Sequence, residues 1–152
     1  RMMEMQAVIG RIQLQRMPRW HEQRLANCKA IWHTARECPG LRAPEVPADV
    51  EHAAYKCYVF VEPDQLASGW DRDAVQHAIM ERGVPCMSGS CSEVYLEKNF
   101  QDANLAPSSP LPVARELGST SLMFLCHPTL TDSEIEKTCD VLKAVMQEAA
   151  AQ

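Results

Sequence analysis

The chain has 152 residues, 46% hydrophobic, 23% charged and 6% aromatic, with 15 basic against 20 acidic side chains and a net charge of −5. That length is one domain, or part of a larger one, and can bury roughly 70% of its unfolded surface. Collagen, long coiled coil and wholesale disorder are excluded by composition, a membrane helix by the lack of any long apolar run, and a global pull toward nucleic acid by the charge.

The chain opens at Arg1 directly into a helical pattern, with no initiator Met and no targeting signature. Met5, Val8, Ile9 and Ile12 follow the spacing of one helix face. A helix starting uncapped at the first residue suggests a piece of something longer. The first helix is predicted over 3–16, with Pro18 kinking it or starting the next. A second places Leu25, Cys28, Trp32 and Ala35 on one face and ends at Cys38-Pro39-Gly40. Residues 41–53, with Pro44 and Pro47, read as a loop.

The strongest strand signal follows at 54–61, apolar on both faces and stopped by Pro63, which predicts an interior strand. Asp71 caps a short helix with Val75, Ala78 and Ile79 inward, and Gly83 supplies its left-handed stop. A short strand at 84–87 feeds the Ser88-Gly89-Ser90 turn, and one or two helical turns follow over 93–98. After a loop at 104–110 comes a short helix at 111–117, stopped by Gly118, then a strand at 121–126 ending at His127-Pro128. Thr131-Asp132-Ser133-Glu134 is a capping box opening a helix that turns Ile135, Cys139, Leu142 and Met146 to one side. Three short strands covered by helices make an α/β chain arranged as an α+β layer.

Seven cysteines include no Cys-x-x-Cys pair, so the close-spaced ligands of a zinc site are lacking and no metal is expected. Cys28, Cys57, Cys126 and Cys139 lie in apolar patterns as small hydrophobes, a usage that fits a reducing cytoplasm. No glycine-rich loop has phosphate-cradling spacing. Cys86 or Cys91 could pair with His127 as a nucleophile only if the fold joined them. His127, at a strand end beside a proline, is either structural or a cleft residue. Arg11, Arg16, Arg19 and Arg24 are interrupted by Glu22 and carry no aromatic ladder, which favours solvation or partner contact over nucleic acid.

The opening Arg1-Met2-Met3-Glu4-Met5-Gln6-Ala7-Val8-Ile9-Gly10, followed by Gln13-Leu14, resembles a stretch of the DegT/StrS family of pyridoxal-phosphate-dependent sugar aminotransferases. Further motifs of that family have counterparts in the same order. These are Glu22-Gln23-Arg24, Ala54-Tyr55-Lys56-Cys57-Tyr58, Arg72-Asp73, Glu81-Arg82-Gly83-Val84, Leu111-Pro112-Val113-Ala114-Arg115-Glu116 and Leu125-Cys126-His127-Pro128 with Leu130-Thr131. The resemblance implies the C-terminal part of a fold-type-I enzyme, with residues 1–38 as linking helices and 39–152 as the small domain. It implies that the lysine binding pyridoxal phosphate lies upstream, since none of the five lysines (29, 56, 98, 137 and 143) has that family context, and that this piece is inactive alone.

For the complete enzyme it implies a cytoplasmic homodimer. That enzyme passes an amino group from a donor, glutamate, to a nucleotide-linked keto sugar, in polysaccharide or related sugar biosynthesis. Arg1 is then expected near the anionic cofactor or nucleotide phosphates, and His127 near the sugar nucleotide. The family's Tyr-Pro-x-x-His-like segment is replaced here by Cys86 to Tyr95, where Ser88, Ser90, Ser92 or Tyr95 would line the sugar site. Two alternatives stay open: a cofactor-dependent sugar dehydratase of the same family, and a non-catalytic interaction module.

Overall fold

In the computed structural model, which describes residues 2–151, the two helices predicted at the start are one. α1 (Glu4–Glu37) runs unbroken for 34 residues with Pro18 inside it, about 50 Å at 1.5 Å per residue. A proline costs a helix its own N–H bond to the carbonyl four residues back. Here that carbonyl belongs to Leu14, a residue 71% exposed, where water can take it, and strong helix formers on both sides carry the helix through.

Only the second half of α1 is packed. Cys28, Ile31, Trp32 and Ala35 are buried, whereas Met5, Val8, Ile9 and Ile12 are exposed by 44–73%. The face predicted for the first half exists, and nothing within the described residues covers it.

The sheet has four strands rather than three: β1 (Leu41–Arg42), β2 (Cys57–Val61), β3 (Cys86–Met87) and β4 (Ser121–Phe124), in the antiparallel order β1-β2-β4-β3. β1 lies in the stretch read as a loop. Two residues are too short to display a period of two; Gly40, at φ +82, turns the chain so that Leu41 and Arg42 meet Val61 and Phe60. β2 is interior, as its two apolar faces predict. It starts three residues late, because Ala54 is in the left-handed region at φ 48.

Register separates two faces. Val59 and Cys57 oppose Leu122 and Phe124, and Cys86 also meets Phe124, so these side chains point together into the core. α1, α2 (Arg72–Glu81) and α5 (Asp132–Ala149) cover that face with Ile31, Val75, Ile79, Leu142 and Val145. Tyr58 and Phe60, with Met123, Ser121 and Met87, belong to the second face. It is overlaid by the segment after β3, which holds α3 (Lys98–Asp102), and by α4 (Pro112–Thr120).

The predicted helix signals at 71–83 hold in atomic detail: the Asp71 carboxylate accepts from the Ala74 N–H at 2.8 Å, and Gly83 takes φ +74. α4 runs through Gly118 instead of stopping there. The reason for that glycine is close approach, since a Cβ would overlap the Ser92 hydroxyl.

At α5 the Thr131 hydroxyl accepts from the Glu134 N–H at 3.4 Å and the Glu134 carboxylate accepts from the Thr131 N–H at 2.7 Å. The backbone and side-chain hydrogen bonds from Thr131 hold the Glu134 carboxyl below its ordinary 4.5. A carboxyl depressed on folding stabilises the fold above its unfolded value and loses that contribution as pH falls through the folded one. Acid unfolding of Glu134→Gln is therefore expected to lose part of its pH dependence below 4.5, read from unfolding midpoints between pH 3 and pH 6; an unchanged slope would remove the capping carboxylate from the account.

Candidate functional site

The segment that replaces the expected family motif is tied to the second face of the sheet. Ser121 donates its hydroxyl to the Ser88 carbonyl at 2.6 Å, the Ser90 N–H donates to the Tyr58 phenol oxygen at 3.3 Å, and the Lys56 ammonium donates to the Ser90 hydroxyl at 2.8 Å. Gly89, at φ +96, lies so close to the Tyr58 ring that an added Cβ would stand 2.5 Å from it. A glycine is required there on two counts, backbone conformation and space.

This bracing shapes a cleft of about 410 Å³ whose wall includes Ser88, Ser90, Ser92, Cys91, Glu93 and Glu97. Hydroxyls and carboxylates dominate it, a donor and acceptor set suited to a polyhydroxylated ligand. Tyr95 braces the segment: its phenol bonds the Glu93 carboxylate and accepts from the Leu111 N–H at 3.0 Å, tying it to the start of α4. The Glu93 carboxylate raises the Tyr95 phenol, which therefore stays protonated. Tyr58 goes the other way. Burial alone would raise its phenol, but the hydrogen bonds from Ser90 and the adjacent Lys56 ammonium outweigh burial and hold it below its usual value.

Ser88, Ser90 and Ser92 are thus brought onto one cleft with Tyr95 as its strut. His127 is outside that lining, three residues past the C-terminal end of β4, half-buried with Nδ1 2.7 Å from the Thr129 hydroxyl. Its backbone is fixed from α1: the buried Asn27 amide donates to the carbonyls of Cys126 and His127, both at 3.3 Å, and accepts from Gln23 at 3.0 Å. Asn27 carries no signal in the sequence, and Lys56 and Tyr58 only that of a family-like strand motif, because each sits inside a helical or strand pattern and its partners are remote in sequence. Arg1 lies outside the described residues.

The cysteines make no nucleophile here. Cys86 is buried, and burial pushes its thiol up to about 12. Cys28, Cys57 and Cys126 meet in the core. A hydrogen bond with Cys126 pulls the Cys28 thiol down, while contact with Cys57 and burial more than offset it and leave it at about 12. The Cys126 thiol is raised by its hydrogen bond with Cys28 and by burial, and it donates to the Ala54 carbonyl at 3.2 Å. The thiols of Cys28, Cys86 and Cys126 are therefore protonated at neutral pH, and with Cys57 they serve as core hydrophobes. Cys91 is exposed and meets Glu97 at 3.6 Å rather than His127.

Two further clefts flank α1. One of about 610 Å³ lies between Trp32 and the 46–52 segment, and one of about 550 Å³ is walled by Met17, Trp20, Arg24 and Tyr55. The second is mostly apolar, the character of a contact surface more than of a polar binding site.

No lysine among the described residues fits a covalent aldehyde cofactor, which needs a desolvated amine. Lys29, Lys98 and Lys137 are exposed, Lys143 pairs with Glu37 at 3.2 Å, and Lys56 is engaged by Ser90. Among the described residues no helix is long and apolar enough to cross a membrane, and no group of three or more His, Cys, Asp or Glu could hold a metal ion.

The α+β layer has counterparts among solved structures. The aminotransferase from Psychrobacter cryohalolentis is 47% identical and superposes with a TM-score of 0.91 over 97% of this chain and 40% of its own. The S. venezuelae DesV structure, in complex with a ketimine intermediate, shares the fold at 22% identity, with a TM-score of 0.83 over 97% of this chain and 37% of its own. The Erythromycin biosynthesis sensory transduction protein EryC1 of Saccharopolyspora erythraea is 24% identical over 144 residues, 95% of this chain and 37% of its own. The DegT/DnrJ/EryC1/StrS aminotransferase family model matches residues 1–143, and the chain belongs to that family. It spans about two-fifths of the length of these relatives.

Proposed function

We propose that this chain is the C-terminal portion of a pyridoxal-phosphate-dependent sugar aminotransferase, with residues 1–38 as the link and 39–152 as the small domain. The full-length enzyme moves an amino group from glutamate to the keto carbon of a nucleotide-linked sugar, with the cofactor as electron sink. The family match over residues 1–143 carries this reading, and the polar lining of the cleft supports it. The residues described here do not seat the cofactor's aldehyde, so we assign that task to the part of the full-length protein outside them.

Within the cleft, the hydroxyls of Ser88, Ser90 and Ser92 exchange hydrogen bonds with the sugar, and the Glu93 and Glu97 carboxylates accept from its hydroxyls. Tyr95 keeps this wall in place. Arg1 serves the cofactor or nucleotide phosphates, and His127 lies toward the sugar nucleotide. The exposed apolar stripe of α1 supports a larger assembly, a cytoplasmic homodimer in this reading.

The test is made on the full-length protein with pyridoxal phosphate, glutamate and a keto nucleotide sugar. We expect 2-oxoglutarate and an aminated sugar in equal amounts by mass spectrometry. A deoxygenated sugar without 2-oxoglutarate would transfer the assignment to a dehydratase, and no turnover of any such sugar would favour an interaction module. In the same assay His127→Ala is expected to raise the half-saturating sugar concentration by about tenfold, as loss of a hydrogen bond to a charged or polar ligand does, with cofactor absorbance intact. Unchanged kinetics would return His127 to a structural role.

A further inference from the structure

We propose that Lys56, Tyr58 and Ser90 form an anion seat at the edge of the serine-lined cleft, which holds the phosphates of the nucleotide-linked substrate; this rests on the reading above that the ligand is a nucleotide sugar. Lys56 is half-buried as a residue; its ammonium donates to the Ser90 hydroxyl at 2.8 Å in an exposed contact and also reaches the Tyr58 phenol oxygen. No carboxylate among the described residues pairs with it. An ammonium has three donors, so one remains for a ligand. The Tyr58 oxygen already accepts from the Ser90 N–H at 3.3 Å, and the Ser90 oxygen accepts from Lys56. The Ser90 hydroxyl also donates to the Tyr58 oxygen, which leaves the Tyr58 phenol proton free for a ligand. One positive charge and the Tyr58 O–H converge beside Ser90 at a point where the cleft begins. Charge-assisted bonds of this kind are the strong ones.

Two anions belong to the proposed reaction, the substrate's phosphates and the carboxylates of the amino donor. The cleft decides between them. Glu93 and Glu97 on the same wall repel a dicarboxylate while accepting hydrogen bonds from sugar hydroxyls. A ligand negative at one end and rich in hydroxyls along its length matches both the Lys56 end and the carboxylate end.

Calorimetry on the full-length protein with UDP, dTDP, GDP and, separately, L-glutamate tests this. At least one nucleoside diphosphate is expected to bind, with Lys56→Met weakening it at least about tenfold, Lys56→Arg holding it within about threefold, and Ser90→Ala falling between. Glutamate affinity is expected to stay unchanged in all three variants. Nucleotide binding that survives Lys56→Met while Lys56→Met and Lys56→Arg both keep wild-type circular dichroism would overturn the seat and leave the enzyme reading standing. So would a loss confined to glutamate. If the wild-type protein binds none of the three nucleotides, the nucleotide-sugar reading falls together with the seat.

Discussion

Replacing Phe124 with alanine is expected to remove about 3–5 kcal/mol of folding stability, the range measured for buried aromatic truncations. Phe124 is 1% exposed, closes β4 and stands opposite both Cys57 and Cys86. It therefore fills the point where β2 and β3 meet their shared neighbour, beneath α1, α2 and α5. Three short strands meet there with little backbone to spare, so the cavity cannot collapse cheaply. Domains are stable by only about 5–15 kcal/mol, and the loss takes a large share. Urea denaturation with an unchanged slope and a lowered midpoint is the expected reading. A shift under about 1 kcal/mol, the size of a surface change, would mean that this layer is not the centre of the core.

Gly89→Ala is expected to abolish the order of the serine segment while leaving the core folded. A non-glycine residue held at φ +96 carries about 1–3 kcal/mol of strain, and the new methyl meets the Tyr58 ring as well. The segment must lift, breaking the Ser90-to-Tyr58 and Lys56-to-Ser90 bonds together. Sugar-substrate affinity in the full-length protein should fall by more than tenfold, more than for any one serine, because the whole wall moves. Gly89→Ala combined with Tyr58→Ala relieves the overlap but not the strain, so it should recover only part of the folding loss. A single variant that binds substrate as the parent does would show that the cleft wall has no part in recognition.

These two residues mark what could and could not be read from the sequence. Phe124 sits in an apolar run, and its strand and burial follow from pattern alone. Asp71, Gly83 and the Thr131–Glu134 box likewise act within a few residues of themselves, where local rules are strong. Gly89 was visible as a turn residue, but the reason for it is Tyr58, 31 positions away on another strand. Gly118 misled for the same reason: its role is room for Ser92, not a helix stop. β1 is two residues long and exists only because β2 is beside it. Pro18 looked like a boundary because propensity counts the lost hydrogen bond and not the solvent that replaces it.

The candidate site divides the same way. The serines were conspicuous as a polar cluster after a strand, and the fold does place Ser88, Ser90 and Ser92 on one cleft. The residues that hold them, Lys56, Tyr58 and Ser121, are strand residues whose roles arise only from cross-sheet contacts. The uncovered apolar face of α1 was read as an ordinary helix face, since periodicity tells which side is apolar and not what covers it.

The central claim is that this chain completes a pyridoxal-phosphate enzyme whose cofactor lysine lies elsewhere in the full-length protein. The most direct measurement is to incubate that protein with pyridoxal phosphate, reduce it with borohydride and map the modified peptide by mass spectrometry. One labelled lysine outside residues 1–152 is the predicted result. A label on Lys29, Lys56, Lys98, Lys137 or Lys143, or no labelled lysine at all, would contradict it.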